Sequence, residues 1–197
     1  MRKFDYLVIG AGAANIVTDA AIDSGKTVAI IEKDRFGGTC LNRGCIPTKS
    51  LITPLDYKQD FERLKSLGLV EGEFKINYDK LKERTLNHSQ KHSQLVLDEY
   101  QNEENVTVFQ GEAFFTGEKT LQVRLNDGTL SEELTAENIV IANGAKTRVP
   151  DDIQGIQDID YLTSEKFFGD SFPDKPFKSL TILGGGVIAA EFAHFFS

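Results

Sequence analysis

The sequence predicts an α/β fold: a three-layer domain on parallel strands, an antiparallel β-meander inserted into it, and the truncated start of a second α/β unit. Three observations predict it. Residues 4–32 read as strand, helix and strand, the size of one crossover unit. From Asn105 the apolar residues switch to period two. From Leu180 a strand, a run of glycines and a helix begin again.

The elements follow in order. Phe4-Asp5-Tyr6-Leu7-Val8-Ile9 is a short apolar run stopped by Gly10, as expected of a buried strand. Residues 13–24 place Ile16, Val17, Ala20 and Ala21 at helical spacing, and Gly25 ends them. Thr27-Val28-Ala29-Ile30-Ile31 is a second buried strand. Residues 37–44 form a glycine-rich loop. Helical patterning resumes after Pro47, with Pro54 as an interruption, and residues 56–67 and 77–101 read as polar surface helices. Val106, Val108 and Phe109, then residues 113–115, then Leu121, Val123 and Leu125 alternate as an antiparallel meander turned at Asp127-Gly128. Residues 138–142 are another buried strand, closed by Asn143-Gly144. The Pro- and Asp-rich stretch 145–178 reads as a linker. Residues 180–183 are a fresh strand running into Gly184-Gly185-Gly186 and a helix. The expected domains are 1–150 and 179–197, joined by a linker at 151–178.

Composition narrows the function. The chain has 197 residues, 40% hydrophobic and 26% charged, as in a folded globular protein. The net charge of −8 makes it a poor ligand for phosphate backbones, so no nucleic acid is expected. No run approaches the roughly 18 apolar residues of a membrane span. The N-terminus enters a strand directly, without the longer apolar region of a signal peptide, and we expect a cytoplasmic protein. There, its two cysteines are catalytic, redox-active or metal-binding more often than structural.

Gly10-Ala11-Gly12-Ala13-Ala14-Asn15 follows a strand and opens a helix. In a dinucleotide (Rossmann-like) fold the first glycine allows a tight turn. The second lets the backbone approach a pyrophosphate, and the third position takes a small residue, here Asn15. The first N–H groups of the helix, from Ala13 onward, and its positive end attract phosphate. Glu32, with Lys33 beside it, ends the second strand about 20 residues later, where an acid binds the hydroxyls of an adenosine ribose. An acid there disfavours a 2′-phosphate, so this site suits FAD or NAD over NADP.

Cys40 and Cys45 stand in Gly37-Gly38-Thr39-Cys40-Leu41-Asn42-Arg43-Gly44-Cys45-Ile46-Pro47-Thr48-Lys49. Zinc wants two further ligands. His88 and His92, four apart on a helix, are the only spaced candidates, and they read better as surface residues, so no metal is assigned. A redox disulfide suits the pair better, with two buried free cysteines as the bland alternative. At the opening of a helix their Cβ atoms come within bridging reach. The helix N-terminus favours a thiolate on Cys45, and Lys49 adds a positive charge one turn on. Gly37, Gly38 and Gly44 let the backbone pack against a flat ligand.

That stretch resembles the active-site signature of the class I pyridine nucleotide–disulfide oxidoreductases. The family includes dihydrolipoamide dehydrogenase, glutathione reductase, mercuric reductase and mycothione reductase. The resemblance runs the length of the chain. Gly10 to Asn15 and Glu32 resemble the family's FAD cradle, with Gly38 and Thr39 beside it. Ile141-Ala142-Asn143-Gly144-Ala145 resembles the turn that leaves the FAD domain, with Asn143 where Thr is usual. Gly184-Gly185-Gly186-Val187-Ile188-Ala189-Ala190-Glu191-Phe192-Ala193 resembles the opening of the NAD(P) domain. Asn15 and the string from Ile188 to His194 are most similar to mycothione reductases.

The resemblance implies a relay. Electrons from NADH or NADPH pass through FAD and a Cys40–Cys45 disulfide to a small-molecule disulfide. Cys45 faces the flavin, Cys40 exchanges with substrate, and Lys49 sits at the flavin edge paired with Glu191. It also implies a homodimer, and further domains carrying a His–Glu pair that none of His88, His92 or His194 matches. His194 is given a packing role. Without those domains the chain by itself is expected to be inactive, with Phe192, Phe195 and Phe196 uncovered. The alternatives are a dihydrolipoamide dehydrogenase running in the reverse direction and an FAD-binding module without turnover.

Overall fold

The computed structural model describes residues 1–169 and 171–197; Asp170, within the expected linker, lies outside the described residues. Two compact units form. One comprises Met1–Asn42 and Gln90–Lys146, the other Arg43–Ser89 and Thr147–Ser197.

The first unit is a sheet with helices. Strands β1 (Arg2–Ile9), β2 (Val28–Glu32), β3 (Val106–Gly117), β4 (Thr120–Leu125) and β5 (Leu134–Ile141) close into a ring in that order. β1 lies between β5 and β2, and β2 between β1 and β3, all parallel. Val8 stands beside Ile30 and Val140, and Val28 beside Val106. β4 then pairs antiparallel with β3 and closes onto β5 through Leu121 and Leu134.

The meander expected from residue 106 is therefore corrected. Val106–Gln110 pairs parallel with β2, and only the part from Gly111 onward pairs antiparallel with β4. Alternation reports a strand but not its partner. The change of partner falls at Gly111, where a Cβ would lie 2.3 Å from the Arg124 carbonyl oxygen. The Asp127-Gly128 turn forms as expected. Gly128 N–H donates to the Leu125 carbonyl, Gly128 has φ +88°, and Leu125 N–H donates to the Thr129 carbonyl.

Both faces of the parallel strands are covered. Phe4, Leu7, Ala29 and Ile31 pack with Leu121, Val123, Leu134 and Ala136 on one face. On the other, Val8, Val28 and Ile30 meet Ala11, Ala14, Ala21, Phe36 and Tyr100. Each such Val, Leu or Ile contributes about 1.5–3 kcal/mol on burial. The helices on that face are α1 (Asn15–Asp23) and the second half of α4 (Tyr78–Asn102). α1 turns a different face inward than its larger residues suggest: Ile16 is 79% exposed, while Thr18 and Ala21 are buried. Small residues let the helix lie close to the sheet. The Tyr100 hydroxyl donates to Asp19 at 2.8 Å, and burial pushes it well above the usual phenol range.

Asp5 joins the starts of β1 and β2. Its Oδ2 accepts the N–H and the hydroxyl of Thr27, both at 2.8 Å. The backbone hydrogen bond is the larger of the causes that hold its carboxyl below the ordinary carboxylate value. A depressed carboxyl stabilises the fold above its unfolded value, and that stabilisation is lost as pH falls through the folded value. Asp5→Asn is expected to flatten the fall of the urea midpoint between about pH 5 and pH 3, relative to wild type.

The second unit is helical. It holds α2's last residue (α2 is Gly38–Arg43), α3 (Cys45–Ser66), the first half of α4, α5 (Ser164–Phe167) and α6 (Val187–Phe196). Pro54 was expected to interrupt the helix, yet α3 runs through it. Pro54 removes one donor, for the Ser50 carbonyl, and a helix of 22 residues survives that loss. The Ser50 and Thr53 hydroxyls donate back to the carbonyls of Ile46 and Lys49.

The expected linker also contributes to a core. Phe167, Phe168 and Phe172 are buried with Leu51 and Leu81, and Phe192, Phe195 and Phe196 of α6 pack against them. The expectation that α6's rings stand uncovered is overturned by these contacts: Phe167 alone meets Phe192 and Phe196 at ring separations of 4.9 and 5.9 Å. The strand expected at 180–183 does not form. No strand of this unit stands beside it among the described residues, and a strand without a ladder has no backbone partners to hold it. No described helix is long and apolar enough to cross a membrane.

Candidate functional site

The glycine turn lies at the C-terminal ends of β1 and β2. Gly10 N–H donates to the Ile31 carbonyl at 2.8 Å, and Ala142 N–H donates to the Ile9 carbonyl at 2.8 Å. Gly10 has φ +105°, and a Cβ there would lie 2.3 Å from the Ala142 carbonyl oxygen, so only glycine fits. α1 starts directly afterwards with Ala14 at its N-cap and no side-chain cap. Asn15 N–H donates to the Gly12 carbonyl at 3.1 Å and Val17 N–H to the Ala14 carbonyl at 2.9 Å, and the positive end of the helix is left without a side-chain acceptor for an anion to approach. Ala13 is exposed, Ala14 buried and Asn15 half-buried.

Glu32 closes over this turn. Its Oε2 accepts the Ala11 N–H and its Oε1 the Asp34 N–H, both at 2.9 Å. The carboxylate therefore orders the loop as well as standing at the strand end where a ribose acid is expected. Removing both acceptors in Glu32→Ala is expected to cost about 1.5–3 kcal/mol in urea unfolding, with a smaller loss for Glu32→Gln. Lys33, also assigned to the cofactor, is taken by Glu112 of β3 at 3.0 Å.

The cysteine-bearing segment comes back to the same turn. Gly37 N–H donates to the Ala11 carbonyl at 2.8 Å. A Cβ on Gly38 would lie 2.5 Å from the Gly12 Cα. The two glycine motifs, 26 positions apart from Gly12 to Gly38 in the chain, meet backbone to backbone. Asn42 secures the loop by donating its amide to the carbonyls of Phe36 at 2.8 Å and Gly38 at 3.0 Å. Its Oδ1 is buried without a hydrogen-bond partner among the described residues. The positive end of α1, without a side-chain cap, and the close glycine backbones of Gly10, Gly12 and Gly38 fit a flat, phosphate-bearing group.

Thr39 and Cys40 are exposed on α2. Cys45 is the first residue of α3 and is also exposed. The sequence placed both cysteines at the opening of one helix; Gly44, with φ −139° and ψ −111°, instead separates two helices. Lys49 lies one turn beyond Cys45, and the structure brings its ammonium onto the Glu191 carboxylate of α6. Lys49 is 62% exposed, so this pair contributes about 1 kcal/mol or less to stability and matters more as geometry.

The remaining assigned glycines stand elsewhere. Gly144 follows β5 with φ +76° and open space around it. Gly184, with φ +121°, and Gly186, the N-cap of α6, likewise have nothing within 4 Å of an added Cβ. They belong to the second unit, whereas Gly144 belongs to the first. Sequence reasoning missed Asn42 as the clamp of the loop and Asp56 as the partner of His194, whose Nε2 lies 3.0 Å away. Neither carries a periodic or spacing signal.

A mixed α/β fold with a glycine turn at its strand ends, met there by Gly37 and Gly38, defines a nucleotide-binding class of fold. The chain belongs to the pyridine nucleotide-disulphide oxidoreductase family, whose description matches residues 4–197. It is 31% identical over 197 residues to the mycothione reductase of Mycobacterium tuberculosis, covering 100% of this chain and 42% of that protein. It is 35% identical to the mercuric reductase of Lysinibacillus sphaericus, covering 98% of this chain and 34% of that one. A dihydrolipoyl dehydrogenase of Chlorobaculum parvum is 32% identical, with 99% and 40% covered. Among solved structures, the Cu(II) complex of the HOCl-induced flavoprotein disulfide reductase RclA from Escherichia coli aligns at a TM-score of 0.78. That alignment has 27% identity and covers 100% of this chain and 40% of that chain. The chain thus spans about two-fifths or less of the length of these relatives.

Proposed function

We propose that this chain is the N-terminal part of a flavin-dependent disulfide reductase, with Cys40 and Cys45 as its redox pair and a small disulfide as substrate. The approach of Gly12 to Gly38 carries the reading, because it joins the phosphate-binding turn to the cysteine segment. FAD, when bound, supplies two-electron transfer between NADH or NADPH and the cysteine pair.

The chain's own residues do the rest. The glycine turn and the positive end of α1 bind the pyrophosphate, and Glu32 takes the ribose hydroxyls. Lys49 places a cation one turn from Cys45, held there by Glu191. A negative charge on Cys45 faces the positive end of α3. The Cys40 thiolate attacks one sulfur of the substrate disulfide and releases the other half as a thiolate. The Cys45 thiolate then attacks the Cys40 sulfur, releases the second half and leaves a Cys40–Cys45 bridge. Two electrons have moved from the pair to the substrate.

On this reading residues 1–150 belong to the FAD domain, 151–178 link it onward, and 179–197 open the NAD(P) domain with Gly184 and Gly186 in its turn. The whole protein is then a cytoplasmic homodimer. The test is chemical. FAD-loaded, prereduced protein is treated with a stoichiometric small disulfide, and peptide mapping follows. A Cys40–Cys45 bridge is expected; cysteines left unbridged in protein that holds FAD rule the redox pair out.

A further inference from the structure

α6 meets α3 through two polar contacts on one pair of helix faces. Glu191 pairs with Lys49, and His194 Nε2 lies 3.0 Å from Asp56 Oδ1. Glu191 and His194 are three residues apart, hence neighbours on α6, and Lys49 and Asp56 are seven apart on one face of α3. Phe192, Phe195 and Phe196 pack into the aromatic cluster. Those contacts supply the burial that seats α6, and the T-shaped pairs of Phe167 with Phe192 and Phe196 favour one rotation. A lone exposed ion pair adds little to hold Glu191 at Lys49. A second polar contact, about one turn further along α6, adds to it.

We propose that His194 and Asp56 are positioning residues: they fix the seat of α6 on α3 so that the Glu191 carboxylate meets the Lys49 ammonium. The functional weight of this pair rests on the reading that places Lys49 beside the cofactor. The pair itself stands on the helix geometry alone.

The test reads Lys49 directly and needs no cofactor. The chain is acylated with limiting acetic anhydride, and each lysine's rate is followed by mass spectrometry. An amine held by a carboxylate reacts more slowly than one in water, so Glu191→Gln sets the released level. Asp56 is 61% exposed, so Asp56→Ala opens no core. It is expected to raise Lys49 acylation by about two-fold or more, the low end for residues in one ion-pair network. Asp56→Asn, which still accepts a hydrogen bond, should stay near wild type. In a Glu191→Gln background Asp56→Ala should add nothing, because the pair is already gone. The same increment in both backgrounds means general loosening and overturns the proposal. So does a wild-type rate in Asp56→Ala and His194→Ala while Glu191→Gln reacts faster, or a Glu191→Gln variant that reacts no faster. Failure of the flavin reading shows itself differently, as absent FAD binding with this acylation pattern intact.

Discussion

Gly10→Ala should unfold at a markedly lower urea concentration than wild type, by about 2–6 kcal/mol in stability. Two effects add. A Cβ at φ +105° is strained by about 1–3 kcal/mol whatever surrounds it. It would also lie 2.3 Å from the Ala142 carbonyl oxygen and 2.8 Å from its carbon, backbone atoms fixed by the β1–β5 ladder. Overpacking against such atoms costs about 1–3 kcal/mol more. Gly25→Ala is the matched control. Gly25 has φ +69° but nothing within 4 Å, so only the strain is incurred there. The difference between the two midpoints isolates the close approach. Equal losses at both positions would mean that β5 gives way and that the turn is not held by the sheet.

Cys45→Ser should reduce disulfide turnover by the whole protein on the order of 10³-fold or more, as loss of a reacting group does. The two cysteines should fail differently. On the proposed function, Cys40 still attacks the substrate when Cys45 is replaced, and no second thiolate resolves the product. A mixed disulfide between Cys40 and half of the substrate then accumulates and is visible as added mass. With Cys40→Ser that adduct does not form. An adduct on Cys45 in the Cys40→Ser protein, and none on Cys40 in the other, would reverse the roles assigned to them.

Local signals exposed a definite part of this architecture. β1, β2 and the turn at Gly10 were readable because strands buried on both faces are continuous apolar runs, and a turn at positive φ requires glycine. The cysteine segment was readable because its glycines, cysteines and lysine lie within one short stretch. What escaped was decided by partners far along the chain. β3 changes partner at Gly111, and alternation looks the same on either side. α1 buries Thr18 and Ala21 in place of Ile16, because closeness to the sheet outweighs the size of the side chain. Phe167, Phe168 and Phe172 are too few and too irregular to announce a core. Asn42 over its loop and Asp56 under His194 are contacts that only the folded chain brings about.

On the proposed function, the Gly10–Asn15 turn and the segment from Gly37 to Asn42 bind one flavin. Titrating FAD into the protein, with flavin fluorescence and visible absorbance recorded together, tests it most directly. The account predicts saturable binding with a perturbed flavin spectrum, lost when Gly12 is replaced by Val in a chain whose circular dichroism is unchanged. Folded wild-type protein that leaves the flavin spectrum untouched, or a Gly12→Val protein that binds as well as wild type, would contradict it.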